Sequence, residues 1–186
     1  MGQAGNLELL KLLTDINHGS LVNGELHIIG VWDALAQQIG KNLIDSTVTS
    51  LNFPKNRLSA IGISAISEFL PLSHIEAISF RNSGLSHLNI SPLGEGLRKS
   101  RVGLLNLSGN EIAELGWLVD ALPHSHIHTL DVSNNILTEQ PLTELLESLH
   151  KTDLRSLNYA GNYEISNALS QRLKRVIDAA SGRQQL

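Results

Sequence analysis

The chain contains no cysteine, and aromatic residues make up only 4% of its 186 positions. The lack of cysteine excludes disulfide-stapled folds, cysteine-based zinc sites, iron–sulfur clusters and every enzyme with a thiolate nucleophile. No apolar run reaches the length of about 18 residues that a membrane-spanning helix needs, and the N-terminus lacks the basic-then-apolar order of a secretory signal. The net charge of −4 provides no field for nucleic acid. The composition therefore predicts a soluble, cytosolic protein that binds neither membranes nor nucleic acid.

Leucine, in contrast, is abundant. It occupies 34 positions in a chain that is 41% hydrophobic and 17% charged. This composition supports one hydrophobic core rather than a disordered segment. A core that consists mainly of one aliphatic residue type indicates that the same layer is packed repeatedly, so the sequence predicts internal repeats.

Five segments follow one eleven-residue frame, in which positions one, four, six and eleven are apolar and position nine is small and polar. These segments are residues 48–58, 75–85, 102–112, 127–137 and 154–164. Their ninth positions are separated by 27, 27, 25 and 27 residues. The last copy departs from the frame because Glu164 occupies position eleven, and a weaker copy around Leu26 precedes the five. So regular an interval predicts a stack of similar units.

The frame resembles the LxxLxLxxNxL motif of the leucine-rich repeat family, and the resemblance covers roughly residues 23–165. The period of 25–27 residues is similar to that of the ribonuclease-inhibitor-like branch or the bacterial effector-type branch. The resemblance implies an α/β leucine-rich repeat solenoid of about six repeats with helical caps. A curved parallel β-sheet would line its concave side and helices its convex side, because strands lie about 4.8 Å apart whereas helices need about 8–10 Å.

We expect a single leucine-rich repeat domain over residues 1–186. A stack of repeats leaves an apolar face open at each end, and these faces need covers. We therefore expect residues 1–20 to form an N-terminal capping helix, residues 21–165 to form the repeats, and residues 166–186 to form a C-terminal capping helix and tail.

Position nine of the frame predicts a structural ladder. On a strand, positions four and six point to one face and position five to the other, after which position nine turns the chain. A short amide side chain can donate to and accept from backbone groups that water no longer reaches. We expect Asn56, Asn110, Asn135 and Asn162 to form this buried ladder, with Ser83 doing part of the same work.

The concave side is where such solenoids generally bind, and we expect a monomer that binds a protein there without a cofactor. The frame selects small polar side chains, of which only the two arginines belong to the types that dominate interface energies. A partner of modest affinity, or one that binds at an end or on the convex face, is therefore expected. The predicted partner-binding residues are Asn52, Glu76, Ser79, Arg81, Asn106, His128, Asp131, Ser133, Arg155 and Asn158.

Catalytic alternatives have less support. His124, His126 and His128 alternate and can hold zinc in principle, but the chain enters a strand there, so we interpret them as surface histidines. His128, Asp131 and Ser133 share the concave side, yet a Ser–His–Asp site needs a shielded pocket that an open sheet lacks. No GxSxG, HExxH or GxxxxGK[ST] motif occurs. The sequence therefore predicts no enzyme activity, no catalytic residue and no metal site.

The segments VTSLNF at 48–53 and LLNLSGNEI at 104–112 resemble the leucine-rich repeat effectors that intracellular bacterial pathogens deliver into host cells. The resemblance implies a non-catalytic protein–protein interaction module in a host cytoplasm. Two alternatives stay open. One is an endogenous intracellular scaffold. The other is a GTPase-activating-type regulator that presents Arg57 or Arg81 from a repeat loop, as some proteins of this kind do.

Three smaller expectations complete the sequence analysis. Residues 102–150 contain seven carboxylates and no lysine or arginine, so one sector of the convex side should be acidic. This sector either meets a basic partner or is a solvated face. Trp32 and Trp117 are expected in the core or half-buried. Gly94 and Gly96 weaken the third helical return by about 1 kcal/mol each relative to alanine, so that helix should be short or loose.

Overall fold

The computed structural model describes residues 6–12, 19–56, 58–163 and 165–182. Its strands form one seven-stranded sheet in chain order. They are β1 (Gly19–Val22), β2 (Glu25–Ile28), β3 (Ser50–Asn52), β4 (Ala77–Ser79), β5 (Leu104–Asn106), β6 (Thr129–Asp131) and β7 (Ser156–Asn158). β1 and β2 are antiparallel, and all later neighbours are parallel. The structure confirms an α/β fold with a mainly parallel sheet.

Helices connect the parallel strands. Residues 6–12 are helical (α1). The other helices are α2 (Asp33–Leu43), α3 (Ala60–Phe69), α4 (His87–Ile90), α5 (Leu93–Leu97), α6 (Gly116–Ala121), α7 (Glu139–Ser148) and α8 (Asn167–Gly182). α3, α6 and α7 each continue into one 3-10 turn, over Leu70–Leu72, Leu122–His124 and Leu149–Lys151. Each of these returns crosses over so that the next strand runs in the same direction as the last.

The frame determines the register of the sheet. Its fourth position lies at the centre of each strand, where Leu51 pairs with Ile78 and Ile78 with Leu105. Leu105 then pairs with Leu130. These four side chains are at most 1% exposed, and a slip of one residue would turn every one of them to solvent. The repeat interval in the sequence therefore specifies both the pairing and the buried face.

The core lies between the sheet and the helices. Apolar side chains at positions one, four, six and eleven of the frame meet helical residues such as Ile63 in α3 and Leu145 in α7. The rings of Phe53 and Phe80 stack across two neighbouring copies with centroids 5.4 Å apart. Leucine is abundant because each copy contributes the same layer to this core.

The N-terminal region differs from the expectation. Residues 1–20 were expected to form one capping helix, but only 6–12 among the described residues are helical, and β1 begins at Gly19. β1 and β2 form a hairpin whose turn residues, Asn23 and Gly24, both have positive φ values of 50° and 81°. Asn-Gly is the strongest short-range hairpin signal because a type I′ turn needs two such residues. The sequence reasoning read Asn23 as part of a weak repeat and missed the hairpin.

The third return is short, as expected, and its glycines have a packing role. It consists of two short helices, α4 and α5. A Cβ atom on Gly96 would overlap the backbone of Ser67 in α3, whereas one on Gly94 would lie 3.2 Å from the carbonyl oxygen of Trp117 in α6. The cost of glycine in a helix is thus offset by the close approach of α5 to both neighbouring helices.

Candidate functional site

The sheet face that points away from the helices, which we call the open face, is the broadest uncovered surface of strands β3–β7. Successive strand side chains point to opposite sides, so positions three and five of the frame flank each buried central residue. Every one of these side chains is half-buried or exposed, and no described residue covers them. The open face consists of Ser50, Asn52, Ala77, Ser79, Leu104, Asn106, Thr129, Asp131, Ser156 and Asn158.

The structure brings most of the predicted partner-binding residues to this region. Five lie on the open face, namely Asn52, Ser79, Asn106, Asp131 and Asn158. Four lie beside it at strand ends, namely Glu76, Arg81, His128 and Arg155. Ser133 is the exception, because its side chain is only 4% exposed. The chain turns inward after β6, so the expectation that Ser133 faces a partner is wrong.

Hydrogen bonds fix the polar side chains of β5–β7. Asp131 Oδ1 accepts from the backbone N–H and the hydroxyl of Ser133, at 2.9 and 2.6 Å. Asn158 Nδ2 donates to Asp131 Oδ2 at 3.2 Å across the two strands. Asn106 Oδ1 accepts from Ser108 in the same way as Asp131 does from Ser133. This part of the open face is therefore a fixed array of polar atoms rather than a set of freely rotating side chains.

Leu104 stands in the middle of these polar residues. It lies on β5, the middle strand of β3–β7, and its side chain is 39% exposed. Its neighbours in the same row are Ala77 and Thr129, aligned with it on β4 and β6. Leu104 is not among the predicted partner-binding residues. The signal was available, since the other copies have serine, alanine or threonine at position three.

Position nine forms a hydrogen-bonded ladder on the edge where strands end, which we call the asparagine ladder. Each side chain donates to the position-six carbonyl of the preceding copy, at 2.6–3.0 Å. Where the residue is Asn110, Asn135 or Asn162, the amide oxygen also accepts a backbone N–H from the preceding copy. Asn56 accepts likewise from Val31. The side chain of Ser83 donates to Phe53 but accepts no N–H from the described residues of that copy.

A second ladder, which sequence reasoning missed, lies on the edge where strands begin. Each hydroxyl donates to the carbonyl three residues earlier at 2.9–3.2 Å. It also accepts the N–H two residues later at 3.3–3.4 Å. The rungs recur at the same intervals as the asparagines, so the signal was present in the sequence. This serine ladder consists of Ser46, Ser73, Ser100, Ser125 and Thr152.

The histidines do not assemble a reactive site. His128 Nδ1 lies 3.0 Å from the Thr129 hydroxyl, and the Ser133 hydroxyl donates to Asp131 instead of to His128. His124 and His126 are exposed on either side of a buried serine rung. Within the described ranges, no group of three histidine, aspartate or glutamate side chains is placed to hold a metal ion. Among the described residues, the concave-side His128, Asp131 and Ser133 therefore do not form a Ser–His–Asp arrangement.

Acidic side chains gather at α6, α7 and the loops before them. The residues concerned are all exposed, namely Glu111, Glu114, Asp120, Glu139, Glu144 and Glu147. The hydroxyl and the backbone N–H of Ser166 together hold the pKa of Glu139 below its usual range. A groove with a volume of 460 Å³ passes between Glu114 and Glu144, with Ile136 on its wall. Exposed carboxylates therefore extend from the loops before α6 and α7 to the last turns of these helices.

The remaining candidate residues are dispersed. Trp117 is half-buried against the core. Trp32 is 53% exposed just before α2, so the expectation that it lies in the core or half-buried is wrong. Its backbone, rather than its ring, has the structural role, because its carbonyl begins the hydrogen bonds of that helix. Arg81 is exposed, and Arg57 lies outside the described residues. No helix among the described residues has the length and apolarity to cross a membrane.

No protein-family model and no curated protein sequence matches the chain. Similar solved structures include the tropomodulin C-terminal domain of Caenorhabditis elegans, at 19% identity and a TM-score of 0.60 over 73% of this chain and 85% of that one. Actin-binding site 2 of leiomodin-1 has 16% identity and a TM-score of 0.68 over 81% and 90%. An internalin of Listeria monocytogenes has 15% identity and a TM-score of 0.55 over 80% and 37%. Together with the strand register, these similarities show that the chain has a leucine-rich-repeat-type fold.

Proposed function

We propose that this chain is a non-catalytic protein-binding module whose partner lies against the open face around Leu104. The observation that carries the proposal is the exposure of a leucine at the centre of an uncovered sheet, where its neighbours are alanine, serine and threonine. Small side chains leave a low surface on which a partner's main chain can approach closely. A single apolar contact surrounded by polar groups is the arrangement of an interface core and its rim.

Charged residues at the strand ends would orient such a partner. Glu76 and His128 precede β4 and β6, whereas Arg81 follows β4. Rim charges of this kind change the rate and specificity of association more than its strength. The expected affinity is modest because tryptophan and tyrosine, which dominate interface energies, are absent from the open face.

Actin is the first partner to test, because the leiomodin-1 structure with a similar fold is an actin-binding site. The experiment measures binding of the purified chain to monomeric actin and to filaments, and in parallel captures proteins from a cell lysate. Leu104→Asp places a charge at the centre of the open face. Leu88→Asp is the matched control, since Leu88 is 70% exposed in the short helix α4.

Leu104→Asp should reduce retention of the partner at least about tenfold, as expected for a central interface residue, while Leu88→Asp retains it. Equal thermal midpoints would show that both variants are folded. Loss in both variants, or in neither, would contradict binding at the open face. A partner other than actin that depends on Leu104 would support the module and exclude actin.

The setting in which the module acts is a separate part of the proposal. The style of the repeats supports an effector that a bacterium delivers into a host cytoplasm, and the alternative is a scaffold in the cytoplasm of its own cell. A translocation-reporter fusion, expressed in a bacterium with and without its secretion system, separates the two. Reporter signal in host cells that requires the secretion system supports the effector, whereas its absence supports the scaffold.

A GTPase-activating role is the second candidate. It is favoured by Arg81, which is exposed on a loop and takes part in no ion pair among the described residues. A free guanidinium is what an arginine finger presents to a nucleotide. Accelerated GTP hydrolysis that is lost in Arg81→Ala or Arg57→Ala would establish this role, and a parent chain without acceleration would reject it.

We also infer that residues 1–186 form one domain in which the terminal helices cover the ends of the core. Leu9 of α1 and Leu173 of α8 are fully buried. The Ser181 hydroxyl donates to the carbonyl of Arg155, at the start of β7, at 2.7 Å. Deletion of residues 166–186 should therefore lower the thermal midpoint and broaden the transition. A shortened chain that unfolds like the parent would contradict a capping role.

A further inference from the structure

The serine ladder has a consequence for the surface around it. Each rung bonds backbone groups on both of its sides, so the residues immediately before and after it point outward. All ten of these flanking side chains are exposed. They form two columns along one edge of the sheet, which we call the serine edge. The columns are Asp45, Leu72, Lys99, His124 and Lys151, and Thr47, His74, Arg101, His126 and Asp153.

The central part of the serine edge is basic. Between the corner carboxylates Asp45 and Asp153 lie three permanent cations and three imidazoles, namely Lys99, Arg101, Lys151, His74, His124 and His126. The two ion pairs of the described residues are Lys11–Glu8 and Arg98–Glu95. None of the six central groups therefore has a carboxylate within ion-pairing distance in the described part of the chain.

The spacing makes these groups act together. Neighbouring rungs are one strand apart, about 4.8 Å, so four copies span about 15 Å. This step is shorter than the screening length of about 8 Å at physiological salt, so adjacent charges reinforce one another. An extended peptide rises about 3.3 Å per residue, and five residues cover the same length.

The geometry points to the serine edge as a docking site for an acidic segment of a partner protein, extended across the rungs. Charge complementarity identifies the occupant, since the opposite, helix-starting edge near α6 and α7 is acidic and would repel it. The site is separate from the open face and goes beyond the proposed function.

Charged groups on neighbouring elements also meet these turns. Glu68, Asp120 and Glu147 lie in the last turns of α3, α6 and α7 and oppose the binding of an acidic chain. Glu76, just before β4, does the same, whereas Arg155, just before β7, favours it. The acidic segment is therefore expected to lie over the centre of the edge, at Lys99 and Arg101.

The test uses a fluorescent polyglutamate decapeptide as the probe, with the full chain, and follows anisotropy at pH 7 and low ionic strength, where charges are screened least. The variant Lys99→Glu/Arg101→Glu reverses two exposed charges of the edge. Lys174→Glu/Arg175→Glu makes the same change in net charge on exposed positions of α8 and is the matched control.

We expect the parent to bind the peptide. The edge reversal should weaken binding about tenfold, and the α8 reversal less than about twofold. No binding by the parent, or equal losses in the two reversals, would overturn the proposal. So would binding to phosphatidylserine vesicles with no binding to the peptide, since that identifies a membrane surface.

The same measurement separates this site from the open face. Leu104→Ser, which removes the apolar contact without adding a charge, should bind the acidic peptide as the parent does, because Leu104 lies on the open face and is not one of the ten flanking residues. Loss of peptide binding in that variant, with its thermal midpoint unchanged, would show that one surface had been mistaken for two.

Discussion

The two ladders hold opposite edges of one sheet, and they differ in the distance along the chain that each bond spans. The asparagine ladder joins neighbouring copies, since Asn110 bonds Phe80 across 30 residues and Leu85 across 25. The serine ladder closes a turn within one copy, since Ser100 bonds Leu97 and Val102 only. Both recur with the same period, so periodicity alone does not reveal which of them couples the stack. Because the asparagines bond between copies and the serines only within one copy, we expect the asparagine ladder to contribute more to the free energy of unfolding.

Removing an asparagine rung should have the largest effect. Asn110→Ala leaves the N–H groups of Ser83 and Leu85 and the carbonyl of Phe80 without their side-chain partner. Each buried group left unpaired costs about 1–3 kcal/mol, so the free energy of unfolding should fall by about 4 kcal/mol. Urea denaturation measures the loss.

Asn42→Ala is the control, because the Asn42 amide makes one exposed bond to the carbonyl of Gln38. It should change the free energy of unfolding by less than about 0.5 kcal/mol. A similar small change for Asn110→Ala would show that the asparagine ladder does not couple the copies.

Removing a serine rung should cost less. In Ser100→Ala the N–H of Val102 loses its partner, while the carbonyl of Leu97 keeps the bond from the backbone N–H of residue 100. One unpaired donor corresponds to about 1 kcal/mol. The same urea titration compares this variant with Asn110→Ala. A loss of stability as large as that of Asn110→Ala would mean that the sequence separation of the bonded residues does not determine how much a rung contributes to the free energy of unfolding.

The two ladders also show what the sequence could and could not predict. Asparagine at position nine was recognised because amides in turns have a known role, and Leu51, Ile78 and Leu105 gave the strand register by their spacing. Ser46 and its counterparts have the same spacing, but serine is common in loops, so its residue type alone indicates no structural role. A periodic position therefore predicts a structural role only where its residue type already indicates one.

Other features depend on contacts that no pattern in one segment records. Gly96 is small because α3 comes close to α5, and that approach involves Ser67, which is 29 residues away in the sequence. Ser133 is buried because the chain turns inward after a strand of only three residues. The exposure of Trp32 likewise follows from where α2 begins. Local sequence specified the layers, whereas the distances between layers decided which surface side chains are available to a partner.

Completing the asparagine ladder should give a smaller, stabilising effect. Ser83 donates to Phe53 at 2.6 Å but leaves the N–H of Leu58 without the acceptor that Leu85 finds in Asn110. Ser83→Asn supplies the missing acceptor and should raise the free energy of unfolding by about 1 kcal/mol. The urea midpoint should increase with an unchanged slope. A decrease would mean that this buried position has no room for the larger side chain, so that the serine is required by packing.

An exposed link between copies provides the smallest test. Glu139 Oε1 accepts the backbone N–H of Ser166 at 2.9 Å. This hydrogen bond spans 27 residues, about as many as the bonds of the asparagine ladder, but it is exposed to solvent. The Ser166 hydroxyl and then this N–H lower the pKa of Glu139 from its ordinary value of 4.5. The pKa of Glu139 is lower in the folded state than in the unfolded state. The link therefore stabilises the fold fully at pH values above the ordinary pKa of 4.5, and this stabilisation is lost as the pH falls through the lower, folded-state pKa. In Ser166→Ala the pKa of Glu139, followed by NMR titration of its carboxyl carbon, should rise part of the way back to its ordinary value. Stability is compared in Glu139→Ala, because this variant keeps the Ser166 hydroxyl that accepts the N–H of Leu169 at the start of α8. Its urea midpoint at pH 7 should not change measurably, since exposed links of this kind contribute little. A clear loss of stability at pH 7 would contradict the conclusion that burial, more than reach along the chain, gives the asparagine ladder its strength.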